Sequence, residues 1–362
     1  SSGWDSGTNQ ALLMSKEMTR RGHKVTVICP ARSVLGQLCA KEKIPVRNLK
    51  IISDVNMIAS ARLAGVLMKG RAEIVHAYHP KSHAVSLVSG YFNFLRPLLV
   101  VSRREMQPLS KDLISGAKYG SAGVSAYVTP CKSSAEVLLD AGVESARISV
   151  IPPAMEMMRW ESANLIRPSM VMKRPYKIGM VARYTTGKEQ EFFLRAVQVV
   201  AGRIPNSEFV IVGKGNEKMR GLARSLGISM KVHILGERRD VPEVMALMHI
   251  FVVPSMNDGI TFPLIEAQAS GVPCVGTQVK GVCDFMENDE SGLLVKPGDH
   301  HALADAIVYL LQNPPDAMAM AHRAYVRVRA CMSLDVVAGR LERLYKELIA
   351  MRKALSSFNA NS

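Results

Sequence analysis

Short apolar runs, each followed by an amphipathic helix, recur along the whole 362-residue chain, and no other feature constrains its fold as much. KVTVICP (24–30), IPVRNLK (44–50), EIVHAYH (73–79), RPLLVVS (96–102), SAYVTP (125–130) and ISVIPPAM (148–155) read as strands. Helical patterns fall at 11–21, 57–69, from 82 onward and over KSSAEVLLDAG, where Ser133 or Ser134 is the expected cap and Gly142 the stop. A polar stretch with Pro168 and Pro175 follows, and then the alternation restarts. YKIGMVAR, SEFVIVGKG, KVHILG, HIFVVPS, PCVGT and GLLVKPGD are the strands of this second set. Helices are expected between them, at 302–311 and 317–329, and last at 334–352. Strands and helices at this spacing predict parallel sheets covered on both faces. The expectation is α/β: two doubly wound, Rossmann-like domains, 1–165 and 166–333, with a cleft between them and a terminal segment, 334–362, that packs back on the first. Ligands of such sheets sit beyond the carboxyl ends of the strands, so the loops there carry the interest.

Residues 1–10, SSGWDSGTNQ, read as a Gly/Ser loop of the kind that follows a strand. A first strand is therefore expected ahead of Ser1. No signal peptide is read at the start. The apolar region 84–101 is cut by Asn93, Arg96 and Pro97, so it reads as a helix and a strand rather than a membrane span. The six cysteines form no C-x-x-C pair and read as buried thiols of a reducing compartment.

The net charge is +15 and the pI near 9.7. Residues 1–165 carry 21 Lys/Arg against 12 Asp/Glu, +9, which leaves 25 against 19, +6, for the remainder. This balance suits phosphate-bearing substrates or an anionic membrane surface, with Arg20, Arg21, Lys24, Arg103 and Arg104 as the expected contacts. It equally suits a merely solvated surface. Nucleic acid is disfavoured: no recognition module is present, and 6% aromatic residues are too few for stacking platforms.

The stretch NDGITFPLIEAQASGVPCVG (257–276) raises the functional question. A helix should begin near Pro263 and stop at Gly271, placing Glu266 in or close to its first turn. Asp258 lies in the loop after a buried strand. Together the two carboxylates could accept hydrogen bonds from the hydroxyls of a ligand whose phosphate meets the helix N-terminus. Taken singly, Glu266 also fits helix-end charge complementarity, and Asp258 a turn acid before Gly259. Arg183 and Lys188, in RYTTGK after another strand, suit a diphosphate. Gly213 and Gly215 end a third strand where backbone can approach a ligand. In the first half, the loop from Gly3 to Gly7 could face the same diphosphate.

R-x4-K after a strand, then V-G-x-G, a strand ending in P-S, acid-G-x3-P-L-x-E-A-x-A-x-G-x-P-x-V, and S-G-L-L-V-x-P-G-D form an ordered series. In it the chain resembles the family 4 retaining glycosyltransferases of the GT-B fold. The resemblance implies a hexosyl-type transferase, metal-independent and without a cofactor, that moves a sugar from a nucleotide-diphosphate sugar to a hydroxyl. The acceptor would be a glycan or lipid-linked, as in lipopolysaccharide or polysaccharide synthesis. It implies that Arg183 and Lys188 hold the donor diphosphate, that Glu266 accepts the ribose hydroxyls, and that Asp258 contacts the sugar. The backbone of Ile260, Thr261 and Phe262 would approach the diphosphate or sugar. The chain departs from the family pattern at Asp258 (usually glutamate), at Ala182 and Glu189 (often glycines), and in VVSRREMQ, where many members carry a histidine. Arg104 or Glu105 occupies that neighbourhood, and His76 and His79 are the nearest histidines on the acceptor side. The alternatives are a nucleotide-sugar epimerase on the same fold or a degenerate, non-catalytic binder. A cytoplasmic location is expected, peripheral on the inner face of the membrane.

Overall fold

The computed structural model describes all residues except 1–5, 54–55, 94, 110–117, 165–173, 183–187, 214–216, 239, 260 and 362. The chain forms two compact units, residues 1–155 with 332–362, and residues 156–331.

In the first unit, β1 (Val27–Cys29) pairs with β2 (Val46–Asn48). A second sheet runs β3 (Ile74–Ala77), β4 (Leu98–Ser102), β5 (Ala126–Thr129) and β6 (Ile148–Val150) in that order. Every pairing is parallel. The strands are shorter than the apolar runs that announce them, and flanking residues such as Pro45, Leu49, Glu73 and Ile151 add single backbone hydrogen bonds at their ends.

The first helix spans Ser6–Arg20 and not 11–21, so Gly7 lies in its first turn rather than in a loop. Gln10 explains the early start: its amide donates to the Ala154 carbonyl at 2.9 Å and accepts from the Ala154 N–H at 2.7 Å. The helix Lys132–Asp140 has Cys131 as its N-cap, two residues before Ser133; Ser133 and Ser134 lie inside it, and Ser134 donates back to the Cys131 carbonyl.

The terminal helix, Leu334–Asn361, runs nine residues beyond the apolar pattern. Val337, Ala338 and Leu341 recur at helical spacing and share a buried cluster with Leu13, Met14 and Met18 of the first helix. Arg21 ties the two helices at their rim, reaching Glu342 at 3.1 Å and Asp335 at 2.6 Å. The chain leaves and returns at adjacent points: Met155 N–H donates to the Met332 carbonyl, and Leu334 N–H to the Met155 carbonyl.

The second unit starts at 156, earlier than the expected 166, because the helix Met157–Asn164 belongs to it. Trp160 is buried there, and Tyr325 donates to Glu161 at 2.8 Å. Six parallel strands follow: β7 (Tyr176–Ala182), β8 (Ser207–Gly213), β9 (Val232–Gly236), β10 (Ile250–Val253), β11 (Cys274–Thr277) and β12 (Leu293–Val295). Their order is β9-β8-β7-β10-β11-β12. Chain progression reverses between β7 and β10, which makes that crevice the topological switch point of the sheet. The core between sheet and helices is large and dry, with Phe193, Phe209, Ile211, Leu303 and Ile307 fully buried. Four cysteines are buried as expected, but Cys283 is exposed and Cys331 half-buried; all six are free thiols. Among the described residues no helix is long and apolar enough to cross a membrane.

Candidate functional site

Two loops frame the switch point. The one after β7 ends in the helix Lys188–Arg203, the one after β10 in the helix Phe262–Ala269. Lys188 opens the first helix, exposed and with no hydrogen bond or ion pair to another described residue. Its neighbour Glu189 is half-buried and crosses the crevice, where its Oε1 accepts from the Met256 N–H at 3.3 Å. Desolvation raises its pKa and the Met256 bond partly offsets the rise. By its sequence Glu189 is only a departure from glycine; in the structure it tethers one loop to the other. Its place two residues before an apolar helical run gave no sign of this, because its partner is a backbone group from another strand end.

Three further contacts shape the β10 loop. Asp258 Oδ1 accepts from the Lys280 N–H at 2.8 Å, at the start of the short helix Lys280–Cys283. Thr277 Oγ1 donates to the Ser255 carbonyl at 2.6 Å. Gly259 and Gly281 bring their backbones together so closely that a Cβ on Gly281 would lie 1.7 Å from the Gly259 carbonyl oxygen. Asp258 is therefore a structural acceptor through one oxygen of an exposed carboxylate.

Thr261 is the N-cap of the helix Phe262–Ala269, but its hydroxyl makes no capping bond; it points to the Gly281 carbonyl at 3.4 Å. Phe262 is half-buried at the first helical position, with Pro263 behind it. Glu266 is the fifth helical residue, and the first turn holds no acid. It thus sits one residue further into the helix than the sequence placed it, since the helix starts one residue before Pro263. At the end of β8, Gly213 has φ +129°, a conformation that glycine tolerates, where the β8–β9 register shifts. Arg183, Gly215 and Ile260 lie outside the described residues.

In the first unit the carboxyl ends of β3 and β4 gather a second set. Arg104 lies across Gly7: a Cβ there would stand 1.8 Å from its Nη2. Only a glycine admits the guanidinium to the start of the helix Ser6–Arg20. Arg104 also acts on the Tyr78 phenol, whose pKa burial raises. His76 has both ring nitrogens engaged, Nδ1 with Tyr345 OH at 2.6 Å and Nε2 with Ser102 Oγ at 2.8 Å. Desolvation holds its pKa near 3. This geometry gives His76 the task of joining β3 to the terminal helix. His79 is the N-cap of the helix Pro80–Ser89, where Ser82 Oγ accepts from its N–H and donates to its carbonyl. Glu105 is exposed, and its carbonyl receives the buried Arg103 guanidinium.

Residues 7–158 match the family model Glycosyltransferase Family 4, and residues 175–313 that of Glycosyl transferases group 1. UDP-Gal:alpha-D-GlcNAc-diphosphoundecaprenol alpha-1,3-galactosyltransferase of Escherichia coli is 25% identical over 72% of this chain and 72% of its own. A D-inositol 3-phosphate glycosyltransferase of Corynebacterium jeikeium is 30% identical over 56% of this chain, and the match spans only 52% of that enzyme. In fold, the chain resembles a glycosyltransferase from Rickettsia africae, with TM-score 0.83, 18% identity and 94% of each chain covered. It also resembles Anabaena HepE in complex with UDP, with TM-score 0.82, 17% identity, and 96% of this chain and 98% of that one covered. With two family models side by side over most of its length and the matching architecture, the chain belongs to the family 4 glycosyltransferases (glycosyl transferases group 1), on the GT-B fold.

Proposed function

We propose that this glycosyltransferase moves a hexose, with retained configuration, from a UDP-hexose to a hydroxyl of a lipid-linked or polysaccharide acceptor, needing no cofactor beyond the donor. The observation that carries the donor half is the switch point of the second unit. There, Lys188 and the open N-terminus of the helix Phe262–Ala269 flank one crevice, with Glu266 a turn further in. UDP is the nucleotide favoured because a UDP-galactose enzyme is among the relatives and a UDP complex among the structures of the same fold. The acceptor class follows the diphosphoundecaprenol named for that same relative and a lipopolysaccharide core glycosyltransferase of Rhizobium meliloti.

In the proposed reaction the bond from the anomeric carbon to the β-phosphate oxygen breaks first, leaving an oxocarbenium-like sugar. Negative charge builds on the departing diphosphate, where Lys188, Arg183 and the helix N-terminus receive it. One well-placed donor of this kind contributes roughly 3–4 kcal/mol. The acceptor hydroxyl attacks on the face the diphosphate leaves and passes its proton to the phosphate oxygen. Glu266 accepts from the ribose and Asp258 Oδ2 from a sugar hydroxyl. The protein would work at the cytoplasmic face of a membrane, bound peripherally.

Calorimetric titration with UDP, GDP and ADP tests this. UDP should bind, and Lys188→Ala and Glu266→Ala should each weaken it about 10- to 100-fold, as expected for losing charge-assisted contacts. Tight binding of another nucleotide would change the donor class. Binding indifferent to both substitutions would remove the switch point as the site.

A further inference from the structure

The basic residues that the sequence offers for an anionic surface are largely spent elsewhere. Arg20 and Arg21 close on Glu17, Arg21 also on Asp335 and Glu342, and Arg103 is buried. A different face of the first unit has the right character. The helix Met57–Gly70, MIASARLAGVLMKG, contains no acid. Its inner residues Ala59, Leu63 and Leu67 pack with Leu49 and Val85. Its outer face shows Met57 and Ile58, 54% and 69% exposed, followed at helical spacing by Arg62 and Lys69. A solvated helix face ordinarily carries both signs of charge and few large apolar side chains.

The surroundings extend the same chemistry. Ile52, just before the helix, is 67% exposed, and Lys81 Nζ holds its carbonyl at 3.1 Å. The turn Gly90–Phe92 packs against the helix and leaves Tyr91 84% exposed. Beside the helix is a groove of about 310 Å³ with Ile28, Leu63 and Val66 in its floor and Arg47, Arg62 and Lys69 on its rim. None of these three cations has a hydrogen bond or ion pair to another described residue. Between positions 43 and 72 the sequence places Lys43, Arg47, Lys50, Arg62, Lys69 and Arg71 against one acid, Asp54, itself outside the described residues.

We infer that this face, the outer side of the helix Met57–Gly70 with Ile52 and the Arg47/Arg62/Lys69 groove, docks the protein on an anionic phospholipid bilayer. Aliphatic side chains standing in water next to cations of a single sign match an interface of acyl chains beneath phosphates. Met57, Ile58 and Ile52 enter the head-group boundary while Arg47, Arg62 and Lys69 meet lipid phosphates. The inference rests on the lipid-linked acceptor reading for its purpose, but the docking itself needs no substrate.

The test is co-sedimentation of the full chain with vesicles of phosphatidylcholine alone or mixed with phosphatidylglycerol. Binding should require phosphatidylglycerol and fall with salt. Each neutralised cation should weaken it about fivefold, so Arg62→Gln with Lys69→Gln should cost about 25-fold, and Ile58→Asp should also release the protein. The same charge change made in the second unit, Lys218→Gln with Arg220→Gln, should leave binding intact. Equal loss in that control would replace a docking face by net charge, and overturn the inference. So would binding to neither vesicle, or an Ile58-dependent dimer on gel filtration without vesicle binding. UDP titration of the same preparations separates the two readings: vesicle binding without UDP binding leaves this face standing and removes the donor assignment.

Discussion

At the scale of single residues, Asp258 and His83 make opposite demands on their surroundings. Asp258 uses one carboxylate oxygen to receive the Lys280 N–H. Asparagine can keep that acceptor while losing the charge. Asp258→Asn is therefore expected to leave the melting temperature unchanged and to reduce transfer at least tenfold, the cost of losing a charged hydrogen bond to the sugar. A parallel loss of stability, seen by thermal melting, would make the residue purely structural. His83 is fully buried with neither ring nitrogen bonded to a described residue, its ring 5.2 Å from that of Tyr119. Desolvation, with the Lys118 charge adding to it, holds its pKa near 3. A folded pKa this far below the unfolded value means full stability above about pH 6.5, lost as the pH falls toward 3. The slope is about 1.4 kcal/mol per pH unit for one such group. His83→Phe should remove that share of the slope and raise stability at pH 7 by about 1 kcal/mol. Urea unfolding at pH 7 and pH 5 measures both, and an unchanged slope would mean that His83 takes up its proton as readily in the fold as in the unfolded chain.

At the scale of elements, the β10 loop depends on backbone packing more than on its own sequence. Gly281→Ala would drive a methyl group into the Gly259 carbonyl. Backbone must move, so a stability cost of about 2 kcal/mol is expected. UDP affinity should fall about tenfold as the loop shifts, and titration of a folded Gly281→Ala protein checks it. The alternation of apolar runs made the twelve strands of the described residues and their parallel pairing legible, and Pro263 and Gly271 marked the helix carrying Glu266 to within a residue. What stayed hidden were contacts between distant segments. The Gln10–Ala154 amide pair starts the first helix early, Glu189 reaches Met256, and Trp160 with Glu161 carries residues 156–164 into the second unit. Each joins positions far apart in sequence through one or two polar atoms, which leave no periodic trace. His76 and His79 stand at a strand end, as active-site histidines often do. Only their partners, Tyr345 and Ser102 for one and the helix cap for the other, reveal structural work.

At the scale of the molecule, one unit is continuous in sequence and the other is not. Residues 156–331 hold a complete six-stranded sheet and its core. Expressed alone, this stretch should fold and bind UDP with nearly the affinity of the full chain; a molten product on near-UV circular dichroism would contradict that. The first unit needs residues 332–362 as well as the stretch up to 155, since Val337, Ala338 and Leu341 complete the cluster around Leu13, Met14 and Met18. This arrangement sets an order of events on the ribosome. The second unit has all its residues once Cys331 has emerged, whereas the first, although synthesised earlier, must wait for residues 332–362. Until then the apolar side of the helix Ser6–Arg20 has only Val100, Val128, Ile151 and Ala154 against it and lacks the share that Val337, Ala338 and Leu341 supply. A stop codon placed just after Cys331 should thus spare residues 156–331 and leave residues 6–155 to chaperones and proteases.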